Sequence, residues 1–155
     1  MKKFVVAVTA FGCLSAASVM AEPAKSDKQA QSAVQFRQAL FQLVRSNVGI
    51  LGAMSKGAVS YDAEIMQKNG MRMEQLSLML EDYFKTDTSK FDVETEALDK
   101  IWTNGDDFSE KAQALTAAAK NLQAVAKSGD EGQYKQAIGE VFKSCKGCHD
   151  NYKAE

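Results

Sequence analysis

The stretch YKQAIGEVFKSCKGCHDNY, residues 134–152, carries both the architecture and the chemistry of this 155-residue chain. Its apolar positions Tyr134, Ile138, Val141, Cys145, Cys148 and Tyr152 follow one another at spacings of 4, 3, 4, 3 and 4. That is an unbroken seam along one side of an α-helix. The pattern predicts a helix from Asp130 to about Lys153, and the same period recurs upstream. Ser128-Gly129-Asp130 closes a stripe of Phe108, Ala112, Leu115, Ala119, Leu122 and Ala126, which predicts a helix over about Asp106 to Lys127. Met66, Met73, Leu76, Leu80 and Tyr83 predict another from Asp62 to about Phe84. Lys85 to Phe91 reads as a polar connection and Val93 to Trp102 as a short helix. The earliest pattern uses Ala33, Leu40, Phe41, Val44, Val48 and Leu51 and runs from Ser26 to about Leu51. Ser26, with Gln29 three residues on, fits a capping box at its start. No run alternates with the period of a strand. Four long helices, each about 30 to 37 Å, make an all-α, antiparallel four-helix bundle the expected fold.

Composition narrows the function classes. The chain has 19 basic and 20 acidic residues and a formal charge of -1, so it has no basic field for nucleic acid. One proline and ten glycines argue against disordered and turn-rich all-β classes. Its N-terminus reads as an address. Lys2 and Lys3 precede an apolar run from Phe4 to Leu14, followed by small residues ending Val19-Met20-Ala21. This is the layout of a secretory signal peptide, expected over 1–21 with cleavage after Ala21, leaving 22–155 as a single domain. The apolar run is shorter than the roughly 20 residues that span a bilayer, so no membrane attachment is expected after cleavage. Cys13 leaves with the signal. The expected location is the periplasm.

Cys145-Lys146-Gly147-Cys148-His149 has the form Cys-x-x-Cys-His, the attachment signature of a c-type haem. Two thiols about one helical turn apart can both reach the vinyl groups on one edge of a porphyrin. His149 lies four residues after Cys145, on the same helix face, and can rise to the iron as an axial ligand. The rivals fit less well. A redox dithiol would sit beside a βαβ pattern, which is missing. A plain disulfide leaves the histidine without a role. Zinc lacks a second Cys/His pair, because the chain has three cysteines and one histidine.

At this point the chain resembles the cytochrome c′ family, exported four-helix-bundle haem proteins with the motif near the C-terminus. Phe36-Arg37-Gln38 resembles an aromatic-Arg-Gln element early in the first helix. Ile101-Trp102-Thr103-Asn104 with Asp107-Phe108 resembles the opening of the third, and Cys145 to Lys153 the closing haem helix. The resemblance covers residues 22–155. It implies one covalent haem c, with Cys145 and Cys148 as thioether anchors and His149 as the metal ligand. It also implies Arg37 near the haem propionates and Lys153 beside the proximal imidazole.

In the family, the side chain four residues after that arginine overhangs the distal face of the iron. Here it is Phe41, which has no lone pair and cannot be a sixth ligand. Relatives that carry electrons in a low-spin state have methionine there. The resemblance therefore implies a five-coordinate iron with an apolar distal pocket. Such a site binds nitric oxide and carbon monoxide and is capable of one-electron transfer with a redox partner, without being an enzyme. The alternative is a six-coordinate, low-spin electron carrier with a methionine ligand, for which Met66 and Met73 are the candidates, although both also read as core. A homodimer crossing the first two helices is expected from the resemblance, with Gly49 and Gly52 permitting close approach. Intact-mass measurement on exported protein should find Glu22 at the N-terminus; a chain beginning at Met1 would contradict cleavage.

Overall fold

The computed structural model describes residues 21–154. The predicted signal peptide, apart from Ala21, and Cys13 lie outside them. Long helices cover Asp27–Ser55 (α1), Ala63–Leu78 (α2), Gly105–Ser128 (α5) and Tyr134–Tyr152 (α6), with short ones at Leu80–Phe84 (α3) and Lys100–Thr103 (α4). Paired contacts run antiparallel between α2 and α5, where Glu74 meets Gln123, and between α5 and α6, where Asp107 meets Tyr152. Ser77 meets Thr116 between α2 and α5, Asn121 meets Glu140 between α5 and α6, and Gly52 meets Phe142 between α1 and α6. The expected four-helix bundle is the observed fold.

Local chemistry sets the helix ends. Ser26 Oγ accepts from the Gln29 backbone at 3.2 Å. Gln29 reaches back to the Lys25 amide at 2.7 Å, one residue earlier than a standard capping box. Asp62 caps α2 through Ile65 N at 2.9 Å. Gly129, at φ 74, closes α5 in the left-handed conformation that glycine adopts without a Cβ clash. Asp130 then accepts from Gly132 N and opens a 3-10 turn at Glu131–Gln133, so α6 begins at Tyr134 rather than at Asp130.

Two expected helices change. The one drawn from Asp62 to Phe84 is interrupted at Met79. There Ser77 Oγ bonds the Glu74 carbonyl at 2.8 Å and Thr116 at 2.7 Å, the back-bonding that bends helices. The helix drawn from Val93 to Trp102 shrinks to α4, because neighbouring chain takes its backbone groups. Leu98 N donates to Tyr152 O at 3.0 Å and Ala154 N to Glu96 O at 2.8 Å. Residues 94–98 thus form a strap across the end of α6. A parallel pair of two-residue strands, Glu22–Pro23 (β1) and Thr86–Asp87 (β2), also ties the N-terminal segment to the chain after α3. The alternation signal could not register a ladder this short.

The core fills the space among α2, α5 and α6. Every residue of the stripe expected for α5 is buried, and Met66, Met73, Ile138 and Val141 are fully enclosed. In α1 the buried stripe is Ala30, Val34, Arg37, Leu40, Asn47, Leu51 and Met54. Phe41, Val44 and Val48 face a cavity instead. Of the two glycines expected at a dimer contact, Gly52 packs against its own bundle: a Cβ there would lie 3.3 Å from Phe142 Cζ. Gly49 faces open space.

Close packing of α2 on α5 requires Gly70. A Cβ at this position would fall 2.8 Å from Gln123 Cγ and 3.1 Å from the Ala119 carbonyl. Gln123 is held by Glu74 at 2.7 Å and cannot swing aside freely. Gly70→Ala is expected to destabilise the fold by about 1–2 kcal/mol, overpacking outweighing the helix-propensity gain. Denaturant unfolding would show a lower midpoint at unchanged slope, and an unchanged midpoint would contradict it.

Candidate haem pocket

A cavity of about 600 Å³ opens between α1 on one side and α5 and α6 on the other. Its size lies within the range of small-molecule and cofactor sites. Helical period brings Val34, Arg37, Phe41, Val44 and Val48 of α1 to its wall. Leu80 and Phe84 of α3, and Phe108, Ala112 and Leu115 of α5, line it too, as do Cys145, Cys148, His149 and Tyr152 of α6. The strap at Thr95–Ala97 and Lys153 close one rim. All six residues singled out in the sequence border this one space.

Cys145 and Cys148 are half-buried and free, not joined as a disulfide. Burial pushes both thiols up, Cys148 to about 11, where the neighbouring Cys145 adds to the effect. Both are therefore neutral thiols at physiological pH. His149, between half-buried Cys148 and exposed Asp150, is itself exposed. Lys146 forms an exposed ion pair with Asp150 across one helical turn. Lys153 pairs with Glu96 of the strap at 3.1 Å.

Arg37 is the least ordinary wall residue, being only 3% exposed. Its Nε donates to Tyr83 O at 2.9 Å, one terminal nitrogen to Thr88 Oγ1 at 3.1 Å and the other to Thr86 O. The guanidinium carbon lies 4.7 Å from the Phe84 ring centroid and 5.1 Å from that of Trp102. Burial lowers its pKa to about 10, with Asp87 opposing the shift, so it stays charged at neutral pH. No carboxylate lies within ion-pair distance of it among the described residues. A buried cation whose acidic neighbour Asp87 lies beyond ion-pair distance is costly, and an anionic group entering the cavity would relieve that cost.

These observations fit a haem. They combine an apolar cavity of sufficient size, two neutral thiols and an imidazole from one helix, and a buried cation in the wall with no ion-pair partner among the described residues. Met66 and Met73 fit no such role, since both are fully buried in the core and neither lines the cavity.

Sequence reasoning missed part of the wall. Phe84, Phe108 and Tyr152 form an aromatic row with Phe41, their successive centroids 6.2, 4.9 and 5.4 Å apart. Periodicity marked Phe108 and Tyr152 as core, with nothing in it to separate a core face from a cavity face, while Phe84 stood only as a helix end beside the expected core residue Tyr83. The Tyr152 hydroxyl donates to the Asp107 carboxylate and accepts from Asn104 Nδ2 at 3.1 Å. Burial and Asp107 push this phenol up to about 12 and so keep it protonated. Gln38, Gln42, Arg45, Lys111 and Phe142 also border the cavity.

Comparison with known proteins agrees with the geometry. The family model for cytochrome c′ matches residues 32–153. The cytochrome c′ of Rubrivivax gelatinosus is 35% identical over 121 residues, covering 78% of this chain and 93% of that one. The solved structure of cytochrome c prime from Shewanella frigidimarina is 37% identical with a TM-score of 0.73, covering 85% of this chain and 99% of that chain. A nitric oxide complex of a point mutant of cytochrome c prime from Alcaligenes xylosoxidans is 31% identical with a TM-score of 0.72, covering 81% and 96%. A family match over most of the chain, on the same bundle and around a pocket built for haem, places this protein in the cytochrome c′ family, whose members bind haem, transfer electrons and bind gases rather than act as enzymes.

Proposed function

We propose that this chain is an exported monohaem protein with a five-coordinate iron that binds nitric oxide, and carbon monoxide in vitro. Its residues 1–21 are removed on export, and residues 22–155 form the single periplasmic haem domain. Among the described residues no helix is long and apolar enough to cross a membrane. Cys145 and Cys148 would hold haem c as thioethers, and His149 would ligate the iron. When bound, the haem would supply an iron able to take a diatomic gas and to exchange one electron with a redox partner.

The observation that carries this reading is the composition of the cavity wall. His149 is the chain's single histidine, and among the described residues no methionine lines the cavity. Phe41, Val44 and Val48 offer no lone pair, and Lys111 is engaged by Asp107 at 3.6 Å. The reading with a methionine ligand would need Met66 or Met73 drawn out of a fully buried position.

The remaining residues perform separate tasks. Phe41 excludes water and withholds a hydrogen-bond donor, which disfavours bound dioxygen, a ligand that carries negative charge, relative to nitric oxide and carbon monoxide. Arg37 places a positive charge where propionates can accept it, the guanidinium being suited to carboxylates. Lys153, tied to Glu96, lies four residues after His149 and adds positive charge on the proximal side.

We also propose a homodimer through α1 and α2. Phe36 at 58% exposure, Leu43 at 55% and the open face at Gly49 support it. Sedimentation at the mass of two chains is the expected result, and a monomer at all concentrations would remove the dimer from the reading.

Purified protein should be coloured, with a high-spin ferric spectrum and a ferrous spectrum that changes on adding nitric oxide or carbon monoxide. A colourless protein, or a low-spin spectrum indifferent to both gases, would overturn the proposal. Phe41→Ala should raise carbon monoxide affinity about two- to tenfold, because moving a packed ring off its rotamer costs roughly 0.5–1.5 kcal/mol. Equal affinities in the two proteins would show that the ring does not obstruct the site.

A further inference from the structure

The last turn of α6 carries Cys148, His149 and Tyr152, yet no protein group among the described residues hydrogen-bonds the exposed imidazole. The direction of His149 is therefore set by its backbone, that is, by how the end of α6 is fixed. Helix ends fray unless held, since their last carbonyls lack intrahelical partners. Lys153 N bonds His149 O at a long 3.3 Å, and the strap holds the turn from outside through Leu98 N to Tyr152 O.

From the bundle side a single side chain does the holding. Tyr152 lies three residues after His149 and four after Cys148, on the cavity face, and is 3% exposed. Its ring stands edge-on to Phe108 at 5.4 Å and 88°. Its hydroxyl is bound at both ends, donating to Asp107 and accepting from Asn104 Nδ2. Asn104 and Asp107 sit at the N-terminus of α5, so the contact bolts the end of one long helix to the start of another. The Lys100 ammonium lies 5.7 Å from the ring centroid on a further side.

We propose that Tyr152 is a positioning residue: its hydroxyl, clamped by Asp107 and Asn104, fixes the tilt of the α6 turn that presents His149 and thereby the strength of the imidazole–iron bond. The inference rests on the reading of His149 as the iron ligand. Freed of the clamp, the turn samples a range of tilts, and a tilted imidazole overlaps the iron less well.

The test is resonance Raman spectroscopy of the ferrous holoprotein, read at the iron–imidazole stretch. Tyr152→Phe keeps the ring on Phe108 and removes only the hydroxyl. Its stretch should shift to lower frequency and broaden while haem content stays at the wild-type level. Asp107→Ala removes the same bond from the other helix and should move the line the same way, so it decides the matter should Tyr152→Phe fail to fold. Gly70→Ala, destabilised far from the site, should leave the line where it is. Wild-type lines in both clamp variants would overturn the proposal, as would an equal shift in Gly70→Ala, which would reduce the effect to lost stability. A wild-type protein with no iron–imidazole stretch would instead overturn the haem reading beneath it.

Discussion

The guanidinium of Arg37 is the contact on which the shape of this molecule turns. It lies inside the protein with its three nitrogens bonded to Tyr83 of α3 and to Thr86 and Thr88 just beyond it, and with aromatic rings of Phe84 and Trp102 against it. Removing such a charge from water costs several kcal/mol. Three hydrogen bonds from a charged donor and two aromatic faces offset much of that. The result is a rigid joint between α1 and the α3–β2 corner. Because α1 is pinned there, and touches α6 near its far end through Gly52 and Phe142, the space between the two contacts stays open.

That opening explains why apolar side chains such as Phe41 and Phe142 stay more than one-third exposed in a chain that buries the rest of its core well. A void of this size within a packed bundle sacrifices dispersion contacts along its whole lining. A flat apolar group with two carboxylates would complement both the walls and the buried charge of Arg37. On the reading proposed above, binding and folding would be coupled, because the interactions that seat the cofactor would also complete the core. The polypeptide alone should be less stable than the loaded protein for that reason.

Much of this was legible beforehand. The heptad seam of residues 134–152 located α6 to within a few residues and put both cysteines on its inner side, and the attachment motif named the cofactor. Where expectation and structure part, the cause is tertiary. Val93 to Leu98 has helical-looking composition but forms a strap, because the end of α6 offers its amides and carbonyls better partners than its own neighbours do. The α1 stripe drawn through Phe41, Val44 and Val48 was real, yet it lines a cavity rather than a core. The resemblance placed Arg37 near the propionates, but its burial at 3% exposure and its bonds to Tyr83, Thr86 and Thr88 come only from the tertiary structure.

Sequence alone determined the period of each helix, the thiol and imidazole spacing and the lack of a polar group at Phe41, since all of these depend on neighbours three or four residues apart. Only the tertiary structure decided that α1 stands away from α5 and α6, that Arg37 lies buried without an ion-pair partner among the described residues, and that Tyr152 joins the ligand-bearing turn to Asp107. The last two arise between segments 45 to 51 residues apart, and α1 meets α6 across a longer separation still, through Gly52 and Phe142. At that range contact is chosen by competition among buried polar groups for partners, which no local pattern encodes.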